Sequence, residues 1–310
     1  MKKVLIITSA VMALFIAALF LVPVLFPGQE YPLAEMTEKY APGKTITVDG
    51  KQVHFMDKGR GPVLILLHGL VFHTIMWERN MEALSKKYRV IALDLWGWGF
   101  SERLDADTYS FNVYARQVTG FMDALGIKRA SLAGQSMGGG VAVYTAARYP
   151  QRIEKLILVA PAVIPYDIPL DAKMFILPVI GEFMNAIATD SMVKDTVRKV
   201  WFFDSSKAPD VYADRVIRPL KVQGTLDGMV FMQRSMLAPP IVTAEAEMLS
   251  KNLPPILIVH GREDRAVPLS CSQRLNLMWK GSQLEIFEKA GHSPNQEYPE
   301  QFNRLVMEFL

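Results

Sequence analysis

The sequence predicts an α/β fold: a mostly parallel sheet with helices on both faces and an inserted, mostly helical segment. Three observations predict it. Short continuous apolar runs, such as Val63–Leu67 and Lys155–Val159, suit strands buried on both faces. Helical patterns alternate with these runs, as in strands joined by crossover helices. The alternation breaks between Pro161 and about Leu253 and then resumes. With 310 residues, 50% of them hydrophobic, the chain can bury a sizeable core.

In chain order, Met1-Lys2-Lys3 precedes an uncharged run from Val4 to Phe26. At about 1.5 Å per helical residue, this run spans roughly a bilayer's hydrocarbon core. No small-x-small cleavage site follows it, so residues 1–27 are expected to be an uncleaved transmembrane anchor rather than a removed signal peptide. Lys2 and Lys3 before the run, and Glu30, Glu35 and Glu38 after it, place the N-terminus in the cytoplasm. The remainder is then expected on the non-cytoplasmic, periplasmic side, and the absence of an N-x-S/T sequon suits a bacterial exported protein. Residues 28–43 read as a linker, and residues 44–310 as the globular domain.

Within that domain, Lys44–Val48 and Gln52–Asp57 flank Asp49-Gly50, a hairpin signal. Val63–Leu67 is a buried strand ending at His68-Gly69. A helix is expected over Trp77–Lys87, a strand over Arg89–Leu93, and a helix over Phe111–Leu125 with Ser110 as N-cap. Ala130–Ala133 and Lys155–Val159 are strands, separated by a helix over Gly138–Tyr149 that Pro150 stops. The stretch from about 161 to 253 holds seven of the 17 methionines and several prolines. It lies between two sheet strands, so it reads as a helical cap, and Met-rich surfaces adapt to irregular apolar ligands. Pro254–Val259 and Leu284–Phe287 complete the sheet. Pro299–Leu310 closes the chain as a helix with Phe302, Leu305, Val306 and Phe309 on one face.

The stretch that carries chemistry is Gly134-Gln135-Ser136-Met137-Gly138, at a strand-to-helix turn. It matches G-x-S-x-G, in which a serine sits at the apex of a sharp turn and side chains two residues either side would collide with neighbouring backbone. The helix that follows points its N-terminus at the site and favours negative charge there. A serine hydroxyl needs a base. Among five histidines, His54, His68, His73, His260 and His292, the last is the best placed, in Ala290-Gly291-His292-Ser293-Pro294 after the final strand. His54 and His260 read as strand residues, His68 belongs to a turn, and His73 lacks an evident orienting acid. The base needs an acid to set its tautomer. Asp264 follows the penultimate strand at the same sheet edge, with Glu263 as runner-up. Arg262 and Arg265 are its alternative, structural partners.

The order Ser136, Asp264, His292 resembles that of the α/β-hydrolase superfamily. Leu67-His68-Gly69, the loop Asp94-Leu95-Trp96-Gly97-Trp98-Gly99-Phe100-Ser101, the serine turn and the Asp264 and His292 loops agree with it over residues 44–310. The resemblance implies an oxyanion hole formed by the backbone N–H groups of Leu70 and Met137, and structural roles for Asp94, Gly97, Gly99 and Ser101. It implies no metal or organic cofactor. The layout of an N-terminal span before a capped hydrolase looks like that of membrane-associated monoacylglycerol-type lipases.

The apolar cap and the anchor favour a small-molecule ester or lipid substrate, hydrolysed through an acyl-enzyme. Two alternatives stay open: C–C bond hydrolysis of ring-cleavage products on the same triad, and a non-catalytic binding module on this fold. Arg218 and Arg234 are the cap cations that could clamp an acidic product. A net charge of +3 without a basic run argues against nucleic acid. The lone Cys271 excludes an intrachain disulfide and reads as a packing residue. The oligomeric state is not written in the sequence.

Overall fold

The computed structural model describes residues 17–22, 30–168, 170–237 and 242–310. Eight strands form one sheet in the order β1-β2-β4-β3-β5-β6-β7-β8. They are β1 (Lys44–Val48), β2 (Lys51–Lys58), β3 (Val63–Leu67), β4 (Arg89–Leu93), β5 (Ala130–Gln135), β6 (Ile153–Val159), β7 (Ile256–Gly261) and β8 (Gln283–Phe287). β2 runs antiparallel to both β1 and β4, and every other pairing is parallel. Asp49 and Gly50 both take positive φ, 49° and 75°, which gives the β1–β2 hairpin the turn whose twist matches its strands.

The apolar strand runs serve two cores because successive side chains point to opposite faces. Ile65, Leu67, Ile91 and Leu132 enter one core, where α3 (Phe111–Ala124) and α4 (Met137–Arg148) pack. Leu64, Leu66, Val90 and Ala133 enter the other, with α2 (Glu78–Leu84) and the closing α13 (Pro299–Phe309). Phe302 and Val306 of that last helix are fully buried, worth about 1.5–3 kcal/mol each. The Ser110 hydroxyl caps α3 by accepting from Val113 N at 3.3 Å. The helix expected over Trp77–Lys87 is α2, which ends earlier, at Leu84, and is preceded by a 3-10 turn, Thr74–Trp77. Burial of the whole of Trp77 under α13 holds that turn in place.

Between β6 and β7 the described chain is helical. It comprises α5 (Leu170–Ile176), α6 (Ile180–Ile187), α7 (Asp190–Thr196) running into a π-helical turn (Val197–Trp201), α8 (Asp210–Ile217), α9 (Thr225–Leu237) and α10 (Thr243–Leu249). α10 joins the core layer: Ala246 and Leu249 pack with α4 residues, and Glu245 pairs with Arg148. α11 (Leu269–Met278) follows β7, and α12 (Pro294–Glu297) precedes α13.

The N-terminal stretch departs from expectation. Residues 33–40, read as linker, form α1 (Leu33–Tyr40), whose Met36 packs with Phe100 and Val222. The membrane anchor expected over residues 1–27 falls largely outside the described residues. Among those described, no helix is long and apolar enough to cross a membrane.

Candidate active site

The three candidate residues come from the ends of three parallel strands. β5 ends at Gln135 and α4 starts at Met137, leaving Ser136 alone at the turn with φ 52° and ψ −117°. A non-glycine residue held there stores roughly 1–3 kcal/mol of strain. The turn persists because its neighbours determine it. Ser136 N donates to Val159 O at 2.9 Å, and Ser136 O accepts from Ala162 N at 3.1 Å. Glycine is required on either side. A Cβ on Gly134 would run into the Gly138 carbonyl, and one on Gly138 into the Leu67 carbonyl.

Asp264 lies in the loop after β7 with its side chain fully buried. Its Oδ1 accepts from Ala266 N (2.8 Å) and Val267 N (2.9 Å). Its Oδ2 accepts from His292 Nδ1 at 2.7 Å. Burial alone would raise its pKa. The adjacent His292 and His260 imidazoles outweigh burial and hold the carboxyl well below the usual carboxylate range. The two arginines that might have neutralised it are engaged elsewhere, Arg262 on Glu288 and Arg265 on Lys199 O. Glu263, the runner-up, instead accepts from Ala290 N at 3.1 Å.

His292 sits in the loop after β8, buried, with its Nδ1 proton directed at Asp264. The serine turn and this loop are tied together by Gln135, whose Nε2 donates to His292 O at 2.9 Å. Glu297 secures the loop from behind. Its carboxylate accepts from Gly291 N (2.5 Å), Phe203 N (3.0 Å) and Asp204 N (3.1 Å), so the helical segment is fastened to the His292 loop.

The Leu70 loop lies against the same turn, since a Cβ on Gly69 would sit 3.1 Å from Ser136 Cβ. Among the described residues, neither Leu70 N nor Met137 N donates to a backbone or side-chain acceptor. Met137 is the first residue of α4, where backbone N–H groups have no partner within the helix.

Sequence reasoning missed the reach of two histidines. His260 was read as a strand-end residue, yet its Nε2 lies 3.1 Å from Asp264 Oδ2. His54 faces acceptors on both sides, Asp94 Oδ2 at 2.7 Å and Pro42 O at 2.6 Å. Both ring nitrogens must therefore carry protons; burial opposes this, but the Asp94 carboxylate outweighs it and raises the His54 pKa. Asp94 also accepts from Thr74 N and Phe100 N, which agrees with the structural role expected of its loop. His68 accepts from Leu95 N and donates to Gly69 O, shaping the turn before Leu70. Among the described residues, no group of three or more His, Cys, Asp or Glu side chains could hold a metal ion.

A family model described as "alpha/beta hydrolase fold" matches residues 62–191. The 2-hydroxymuconate semialdehyde hydrolase of Pseudomonas sp. strain CF600 is 31% identical over 277 residues, covering 86% of this chain and 93% of that protein. The chain belongs to the α/β-hydrolase fold family. Among solved structures, a meta-cleavage product hydrolase from Pseudomonas fluorescens IP01 is 32% identical with a TM-score of 0.72, covering 86% of this chain and 97% of that one. A membrane phospholipase A has a TM-score of 0.73 and covers 100% of this chain and 98% of that one, but at 24% identity its likeness speaks for the fold alone.

These relatives correct one expectation and leave another unsupported. The α/β hydrolase was expected to be membrane-anchored by a single N-terminal span, with its catalytic domain on the periplasmic side. No described helix can cross a membrane, and the hydrolases of 2-hydroxymuconate semialdehyde and of 2-hydroxy-6-oxononadienedioate match this chain over 93–96% of their own lengths using 86–88% of its residues. The finer likeness to monoacylglycerol-type lipases gains no support from relatives of that kind. The coarser conclusion holds: this is a hydrolase of the α/β-hydrolase fold.

Proposed function

We propose that the chain is a serine hydrolase that cleaves the C–C bond beside a carbonyl in a ring-cleavage product, a conjugated 2-hydroxy-6-oxo acid. The reaction type is carried by the Asp264–His292 pair, buried and tied through Gln135 to a strained Ser136. The bond class rests on the relatives, which share 31–32% identity over nearly their whole length. In this reading Ser136 Oγ gives its proton to His292 Nε2 and attacks the carbonyl carbon. The Leu70 and Met137 N–H groups hold the resulting oxyanion. With the acid fragment in its 2-oxo tautomer, the 2-hydroxyl proton having moved to C5, the C–C bond breaks, its electron pair passes into that fragment as a dienolate, and His292 returns the proton to the dienolate. Water, deprotonated by His292, then frees the acyl group from Ser136. The segment from about 161 to 253 acts as the cap that selects the substrate.

One observation favours carboxylic ester hydrolysis as a second reading. Both cap cations suited to a substrate carboxylate are engaged away from the triad. Arg234 makes a two-point pair with Glu182 and bonds the Ile176 and Leu177 carbonyls. Arg218 lies over the Tyr40 ring at 4.3 Å. Parallel assays with a 2-hydroxy-6-oxo-dienoate and a series of p-nitrophenyl esters separate the readings. Dienoate turnover that greatly exceeds ester turnover is expected; ester turnover alone would replace the first reading with the second. Fluorophosphonate labelling of wild type but not Ser136→Ala is expected; equal labelling would show that Ser136 is not the nucleophile, and no labelling of either, with neither substrate turned over, would favour the non-catalytic binding module.

A further inference from the structure

Behind the Asp264–His292 pair lies a second buried histidine that the proposed reaction does not use. His260 is fully buried at the end of β7. Its Nε2 is 2.9 Å from Val267 O and 3.1 Å from Asp264 Oδ2. A carbonyl and an ionised carboxylate can only accept, so Nε2 carries the proton. The other nitrogen, Nδ1, lies 2.7 Å from the hydroxyl of Ser272, a fully buried residue of α11. The contacts therefore form one chain, from Ser272 through His260 to Asp264.

The carboxylate is thereby held at both oxygens. Two backbone N–H groups grip Oδ1, His292 Nδ1 donates to Oδ2, and the His260 Nε2 proton is shared between Val267 O at 2.9 Å and Oδ2 at 3.1 Å. Without His260, the only side-chain donor on Oδ2 would be His292, the ring that must move protons during turnover. We propose that His260, with Ser272 behind it, is a positioning residue that fixes the Asp264 carboxylate so that it can hold His292 in its working tautomer. The proposal rests on the reading that Asp264 and His292 serve Ser136. It goes beyond that reading by giving the triad a fourth member and a fifth.

His260→Leu removes the donor while filling the space, and His260→Gln keeps an N–H of similar reach. A hydrogen bond to a charged group is strong enough that its loss here should lower kcat about tenfold, with KM nearly unchanged. His260→Gln should recover kcat to within about threefold of wild type. Proton NMR gives a readout independent of turnover: among the strongly downfield imidazole N–H resonances of wild type, which include those of His54 and His292, one is expected to be lost in His260→Leu. Wild-type kcat in His260→Leu, or equal impairment of the Leu and Gln variants, would overturn the proposal in favour of a packing role. If His260→Leu does not fold, Ser272→Ala takes its place. It should shift the His260 resonance and lower kcat about twofold or more, and an unchanged spectrum with unchanged kcat would overturn the proposal. If wild type turns over neither substrate class and takes no fluorophosphonate label, the functional reading fails, while the resonance count still decides the Asp264–His260 contact.

Discussion

Asp264→Asn is the sharpest test of the site, because the environment of the carboxylate leaves an amide nowhere neutral to sit. Oδ1 accepts from Ala266 N and Val267 N, two main-chain donors that cannot change their role. Oδ2 faces the protons of His292 Nδ1 and His260 Nε2. An asparagine has one acceptor oxygen and one NH2 group. Turning the NH2 toward the backbone would strand two buried donors at about 1–3 kcal/mol each. The favoured arrangement therefore directs NH2 at His292, which must then accept at Nδ1 and carry its proton on Nε2. That tautomer cannot take a proton from Ser136. The stranding cost limits the competent population to about one part in thirty to one in ten thousand, and the charge that stabilises the imidazolium is lost as well. The expected fall in kcat is about a thousandfold or more, equivalent to roughly 4 kcal/mol. It is measured by steady-state turnover of the better substrate class, with fluorophosphonate labelling rate as a second readout and circular dichroism to show that the fold persists. A folded variant within tenfold of wild type on both readouts would refute the assignment of Asp264 as the orienting acid.

Burial pushes the pKa of His73 down to about 4, and its Nδ1 has no partner among the described residues. The unfolded chain takes up this proton near pH 6.5 and the folded one only near 4, so stability falls as pH drops through that window, by about 3 kcal/mol in all. His73→Leu should flatten the profile by that amount in urea melts between pH 7 and 4.5; parallel profiles would show that His73 is not held neutral. Glu297→Gln leaves one acceptor oxygen for three N–H groups. It should cost about 2 kcal/mol in unfolding free energy and lower kcat/KM several-fold by loosening the helical segment from the His292 loop; unchanged values on both counts would mean that this fastening is unimportant.

The sheet was readable because its strands obey one rule. Strands buried on both faces appear as unbroken apolar runs, and the runs at Val63, Arg89, Ala130 and Lys155 each became a strand within two residues of the expected bounds. The 3-10 turn Thr74–Trp77 before α2 went unread because apolar spacing does not separate such a turn from the first turn of an α-helix. At the site, the serine turn and the Asp264 and His292 loops could be read from residue type and chain order. The partnership of His260 could not, because a histidine at a strand end looks the same whether its ring meets a leucine or a carboxylate. His54 carries the same lesson: its charge follows from Pro42 O and Asp94, residues distant in sequence that only the fold brings to its two nitrogens.

The helical segment between β6 and β7 was hardest to read, and the reason is physical. Its side chains answer to the core below, to one another and to a ligand, and no single periodicity records all three. Met232 illustrates the conflict. In the sequence it counted toward an adaptable, ligand-facing surface, but it is fully buried and its sulfur accepts from Trp98 Nε1 and Tyr114 OH. A methionine pinned by two donors is a fixed strut and offers no plasticity. Arg234, a candidate carboxylate clamp, is likewise committed to Glu182 and two helix-end carbonyls. The features from which a lipid-like ester was inferred are thus partly structural. The substrate question moves to the few segments that fasten the cap to the triad, foremost residues 201–204, where Trp201 O accepts from Ser293 N beside the base.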